Sequence, residues 1–150
     1  MAKEVVSFDI TDNSEQVLKA FEEAVQKALV AIGIEAEANA VTEITKSVYE
    51  TPESPGYKRT GRLRNSITWA VKGMEGQTRQ YSDDEGNMFT DTIGEGAEEH
   101  AVYVGTNVSY AAIVELGTSK RRAKPYLRPA VDNYKDRYRE ILQEALKNGD

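Results

Sequence analysis

Four groupings in this sequence hold residue types able to do chemistry. Gly56, Gly61 and Arg62 reproduce the spacing of a phosphate-binding loop. The chemistry of such a loop is missing. Arg62 stands where a lysine would reach the phosphates, Leu63 stands where a hydroxyl would bind Mg²⁺, and no apolar strand leads in. A tight turn after a helix is the better reading. Asp83, Asp84 and Glu85, followed by Gly86 and Asn87, lack the alternating ligands of a calcium loop. They read as the solvated tip of a hairpin. His100 is the only histidine and there is no cysteine, so a zinc cage or a nucleophile–base pair would lack partners. The fourth grouping centres on Glu115, an acid inside the apolar stretch 110–116. A buried acid needs a partner, and Arg62 or Arg64 is the expected one. Catalytic residues, a cofactor and a metal are not expected, and enzyme function ranks well below binding or structural function.

Charge is distributed more tellingly than any single residue. The chain carries a net charge of −6, which argues against a general nucleic-acid binder. Residues 73–99 hold eight acids (Glu75, Asp83, Asp84, Glu85, Asp91, Glu95, Glu98, Glu99) against one base, Arg79. Residues 120–128 hold five bases (Lys120, Arg121, Arg122, Lys124, Arg128) and no acid. Lys120, Arg121, Arg122 and Lys124 facing Asp83, Asp84 and Glu85 of a neighbour would join subunits head to tail. Two exposed, solvated loops explain the same asymmetry equally well. A third reading sends residues 120–128 to phosphates. Without interleaved aromatics that contact would grip backbone rather than read bases, so DNA contact is possible but not favoured.

The elements that must position these groups follow from periodicity. A chain of 150 residues reads as one domain. Val6, Phe8 and Ile10 alternate as a strand over 4–10. Asp12 and Glu15 then read as a helix cap and its box partner. Leu18, Phe21, Val25, Ala28, Leu29, Ile32, Ala36, Val41, Ile44 and Val48 recur at helical spacing, so 11–49 is one long amphipathic helix or two in line. Gly33 is the expected break. Unbroken, the helix would run roughly 50 Å, too long to bury its stripe on this small domain alone. Either it bends or part of the stripe faces another subunit.

Residues 51–56 form a loop, and 66–105 form a sheet region containing the acidic hairpin 73–99. A short helix spans 109–117, capped by Ser109 and stopped by Gly117. Pro125 and Pro129 bracket the start of a C-terminal helix over 127–148. Tyr134 and Tyr138 belong to its apolar stripe, while Tyr103, Tyr110 and Tyr126 pack the corner that precedes it. The fold class is α+β: a long N-terminal amphipathic helix and a C-terminal helix packed on a small antiparallel sheet. The longest apolar run, 28–34, is too short to span a membrane. The absence of cysteine fits a chain made in a reducing cytoplasm.

Two stretches resemble a known family. Thr60, Gly61, Arg62, Leu63, Ser66 and Ile67 match a first signature. Tyr110, Ala111, Val114, Glu115, Gly117 and Thr118, followed by Pro125, Leu127, Arg128 and Pro129, match a second. In this order, with residues 104–107 just before the tyrosine, they resemble the neck or tail-completion proteins of long-tailed phages and prophages. The resemblance runs from about Ala36 onward. It implies a non-enzymatic virion protein that joins head to tail by assembling with other neck, connector or tail proteins and with itself. Its place would be the head–tail junction, after assembly in the host cytoplasm. Tail-terminator and head-side connector roles are alternatives of the same kind. Residues 73–99 look like an enlarged acidic hairpin where many such proteins are shorter.

Overall fold

The computed structural model describes residues 13–51, 59–73, 78–92 and 98–148. Helix α1 runs Ser14–Ile44 and continues without a break into a π-helical turn, Thr45–Tyr49. Asn13 occupies its N-cap and makes no side-chain capping bond. Asp12 and the strand expected over 4–10 lie outside the described residues.

Gly33 does not break α1. It is buried mid-helix, and a Cβ there would sit 2.7 Å from the Trp69 ring. Glycine is therefore present to let an indole approach the helix backbone, at the cost of weaker helix propensity. The expectation of a bend is corrected by this packing across elements.

The remaining elements are short. Helix α2 spans Arg62–Ser66, strand β1 Thr68–Val71, β2 Thr78–Ser82, β3 Met88–Thr92 and β4 Val102–Gly105. Helices α3 (Ala111–Leu116), α4 (Leu127–Asp132) and α5 (Lys135–Asn148) follow. The stretch expected to be one C-terminal helix is thus two, separated by a turn at Asn133 and Tyr134. The strands form two antiparallel pairs. β1 pairs with β4, Trp69 opposite Val104. β2 pairs with β3 as the expected hairpin, Tyr81 opposite Phe89.

Helix α1 is the spine against which β1, β4, α4 and α5 pack. Near its C-terminal end, Ala40 and Ile44 join Leu63, Ile67, Val108, Ala111, Tyr126 and Ala130 in the main core. Further toward its N-terminus, Val25 and Leu29 meet Val71, with Trp69 and Val102 beside them. Polar contacts fix α5 alongside. Asn39 Nδ2 donates to the Tyr138 hydroxyl at 2.9 Å, the Tyr134 hydroxyl donates to Glu43 at 3.1 Å, and Arg137 pairs with Glu35 at 3.1 Å. Arg79 pairs with Glu37 at 3.2 Å and ties β2 to the same helix.

Among the described residues, none buries the first turns of α1. Val17 and Leu18 are each 60% exposed and Phe21 48% exposed, although they continue the stripe that is buried at Ala24, Val25, Ala28 and Leu29. The expected alternatives were a bend at Gly33 or a stripe that partly faces another subunit. The helix does not bend there.

Candidate functional site

The second signature builds a rigid corner. Tyr110, not Ser109, holds the N-cap position of α3, and no side chain caps it. Gly117 ends α3 at φ 74°, donating its N–H to the Ile113 carbonyl at 2.8 Å. A Cβ on Gly117 would lie 2.6 Å from the Ala123 backbone nitrogen, so only glycine permits both this conformation and the close loop. Thr118 and Arg121 exchange backbone hydrogen bonds, and the Thr118 hydroxyl accepts from the Lys120 and Arg121 N–H groups. The Lys124 N–H donates to the Val114 carbonyl at 2.8 Å and folds the basic loop back onto α3.

Glu115 locks the corner, and its partner is neither Arg62 nor Arg64. One carboxylate oxygen accepts the N–H groups of Tyr126 at 2.7 Å and Leu127 at 3.0 Å. The other accepts that of Arg128 at 2.9 Å. The acid of one helix therefore caps the next, satisfying N–H groups that an N-terminus leaves unpaired and placing negative charge where the helix dipole favours it. Pro129 sits inside that first turn, where a missing N–H costs nothing. Tyr126 is fully buried beneath it, its hydroxyl 3.4 Å from the Ala111 carbonyl. Burial, then the nearby Glu115 carboxylate, holds that phenol well above its ordinary range.

The first signature builds a second clamp. Gly61 takes φ 78°, and a side chain there would run into the Asp84 carboxylate. Asp84 receives Arg64 Nη2 at 3.1 Å, and its N–H donates to the Thr60 carbonyl. Asn65 Nδ2 donates to the Ser82 carbonyl at 2.8 Å. The Arg62 guanidinium lies 4.0 Å over the Phe89 ring, and the Tyr81 hydroxyl next to it donates to Asp91 at 2.6 Å. Among the described residues the buried Arg62 Nε has no hydrogen-bond partner. Leu63 and Ile67 point into the main core, and the Ser66 hydroxyl reaches the Leu63 carbonyl at 2.7 Å. The two signatures thus meet through the apolar cluster of Leu63, Ile67, Ala111 and Tyr126, not through an arginine–glutamate pair.

The hairpin tip is less solvated than its composition suggests. Asp83 is buried and accepts from the Glu85 and Asn87 N–H groups and from Asn87 Nδ2. The Asn87 side chain first, and these N–H groups after it, hold its carboxyl below the usual carboxylate range. Asp83 and Asp84 are therefore both engaged within their own chain, Asp83 buried and Asp84 at an exposed position. His100 is exposed at φ 58° and pairs with Glu22 at 3.0 Å. Among the described residues no group of His, Cys, Asp or Glu is arranged to hold a metal, and no helix is long and apolar enough to cross a membrane.

The bases of the corner line one concavity. A cleft of about 440 Å³ runs between the end of the long helix, α3 and the basic loop. Val48, Ile113 and Val114 give it an apolar floor. Lys120, Arg121, Arg122 and Lys124 surround it, joined by Arg59. Arg59 was not singled out in the sequence. Only the fold brings it to the basic loop, and its own neighbourhood showed a turn and nothing more.

A small α+β scaffold results, whose signature residues cap helices, clamp a hairpin and fill a core. In comparison with known families, the family model described as "Bacteriophage HK97-gp10, putative tail-component" matches residues 8–117. The chain belongs to that family of phage tail components and is a structural protein of the virion. The match ends at Gly117, just before the basic loop. No curated protein and no solved structure matches the chain.

Proposed function

We propose that this protein acts in head–tail joining and tail completion, by assembling with other neck, connector or tail proteins and with copies of itself at the head–tail junction. Assembly would take place in the host cytoplasm, and the protein would carry out no catalysis. The observation that carries this reading is the uncovered apolar stripe at the start of α1, Val17, Leu18 and Phe21. Large apolar side chains in a row that no described residue buries suit a surface that another protein would cover.

Deleting the gene from its phage or prophage tests the function directly. Filled heads and finished tails should accumulate unjoined in electron micrographs, and the intact gene supplied in trans should restore joined particles. Normal numbers of joined, infectious particles without the protein would rule the reading out.

A second reading draws on the clustering of five cations around one cleft. There the basic loop would contact nucleic-acid phosphates. It requires binding that weakens steeply with salt, and an absence of binding at low salt would dismiss it.

A further inference from the structure

The uncovered end of α1 and the cationic cleft are complementary in shape of chemistry and sit at opposite ends of one helix. The α1 end presents Val17, Leu18 and Phe21, with Glu15 three residues before Leu18 and, four residues after it, Glu22, which also pairs with His100 of its own chain at an exposed position. All five α1 residues are exposed. The cleft presents the reverse charge around an apolar floor, with Ile113 still 46% exposed. Val48 lines the cleft and lies on the π-helical turn that continues α1, so about 45 Å of helix separates Leu18 from the cleft.

We infer that the start of α1 in one copy docks into the Lys120–Lys124 cleft of the next. This deepens the assembly reading above by naming the two faces of its self-contact. The occupant is a second copy, because this chain itself carries an exposed segment with the required apolar residues and acids. The hairpin tip fits the role less well: Asp83 is buried, and among residues 82–88 Met88 is the one large apolar side chain left exposed, not a row of them. The cleft's size suits a few side chains rather than a duplex. Two different surfaces on one molecule make a heterologous contact, which propagates head to tail and closes into a ring when the rotation allows.

The purified full chain tests this by light scattering over a concentration series, at low salt and at about 1 M salt, where the Debye length shrinks to about 3 Å. The intact protein should associate, and salt should weaken the association. Phe21→Asp at the helix end and Lys120→Glu with Arg122→Glu at the cleft should each weaken it by about tenfold or more. All three sites are exposed, and circular dichroism checks the fold; Leu18→Ala replaces Phe21→Asp if that variant unfolds. The decisive sample mixes the helix-end variant with the cleft variant. Each retains the surface the other lacks, so the mixture should form one-to-one dimers and nothing larger.

A wild-type monomer at every concentration, variants that associate normally, or a mixture that stays monomeric would each overturn the inference. So would loss of oligonucleotide binding in the cleft variant with self-association intact, which would assign the cleft to nucleic acid. The particle assay fails separately. Joined particles without the gene sink the proposed function even if the copies associate as described. A wild-type monomer sinks the inference even if heads and tails stay unjoined without the gene.

Discussion

Glu115 shows how one side chain can hold two helices. Three N–H groups converge on its carboxylate from the first turn of α4. Glu115→Ala leaves them without this partner, and the loss of a charged cap costs about 2 kcal/mol. Glu115→Gln keeps one carbonyl acceptor and should lose about half as much. Urea denaturation measures both, and a Glu115→Ala midpoint equal to wild type would show that the cap is dispensable. Asp83 adds a pH dependence whose sign follows from its lowered carboxyl. The folded state prefers the ionised form, so the contribution is full above the unfolded carboxyl range, near 3.9, and is lost as pH falls through the lower folded value. Asp83→Asn should therefore flatten the loss of melting temperature on acidification below about pH 4, while lowering stability at neutral pH. A variant whose acid profile parallels wild type would contradict the assignment.

Helix α1 settles a conflict between local and tertiary preference. Gly33→Ala would gain about 1 kcal/mol of helix propensity, yet its Cβ would press on Trp69 at 2.7 Å. Packing should win, giving a destabilised protein with altered emission from Trp69, the only tryptophan in the chain. A stabilised variant would mean that the close approach is not real. The same helix shows what was legible in the sequence. Its period and its excess length could be read from the spacing of Leu18 through Val48, because helical repetition is a local signal, while whether it bends could not. The role of Gly33 could not, because what it faces lies in β1. Glu115 could be recognised as an acid in need of a partner. Its partners are backbone N–H groups, which every sequence contains and none advertises. Asp83 looked like a solvated acid because composition does not reveal that a turn closes around its carboxylate. Arg59 lacked any local mark of the cleft that it helps to line.

At the scale of the whole molecule, the arrangement of surfaces determines how defects combine. In the head-to-tail assembly proposed above, a subunit with one dead face would still present its other face, and so would enter the assembly and stop it. A subunit that worked alone, as a simple adaptor, would merely dilute the functional pool when inactive. The two cases separate when Phe21→Asp is expressed beside the wild-type chain during phage growth. In a closed ring every contact must form, so the fraction of intact rings falls as a power of the wild-type fraction. Joined particles should then drop well below half when the two chains are made equally, and the double defect at Phe21 and at Lys120 with Arg122 should be milder, because it cannot enter the assembly at all. A yield that follows the wild-type fraction linearly, and is the same for the single-faced and double defects, would instead show that each subunit acts by itself. The uncovered helix would then belong to a contact with a different neck or tail protein.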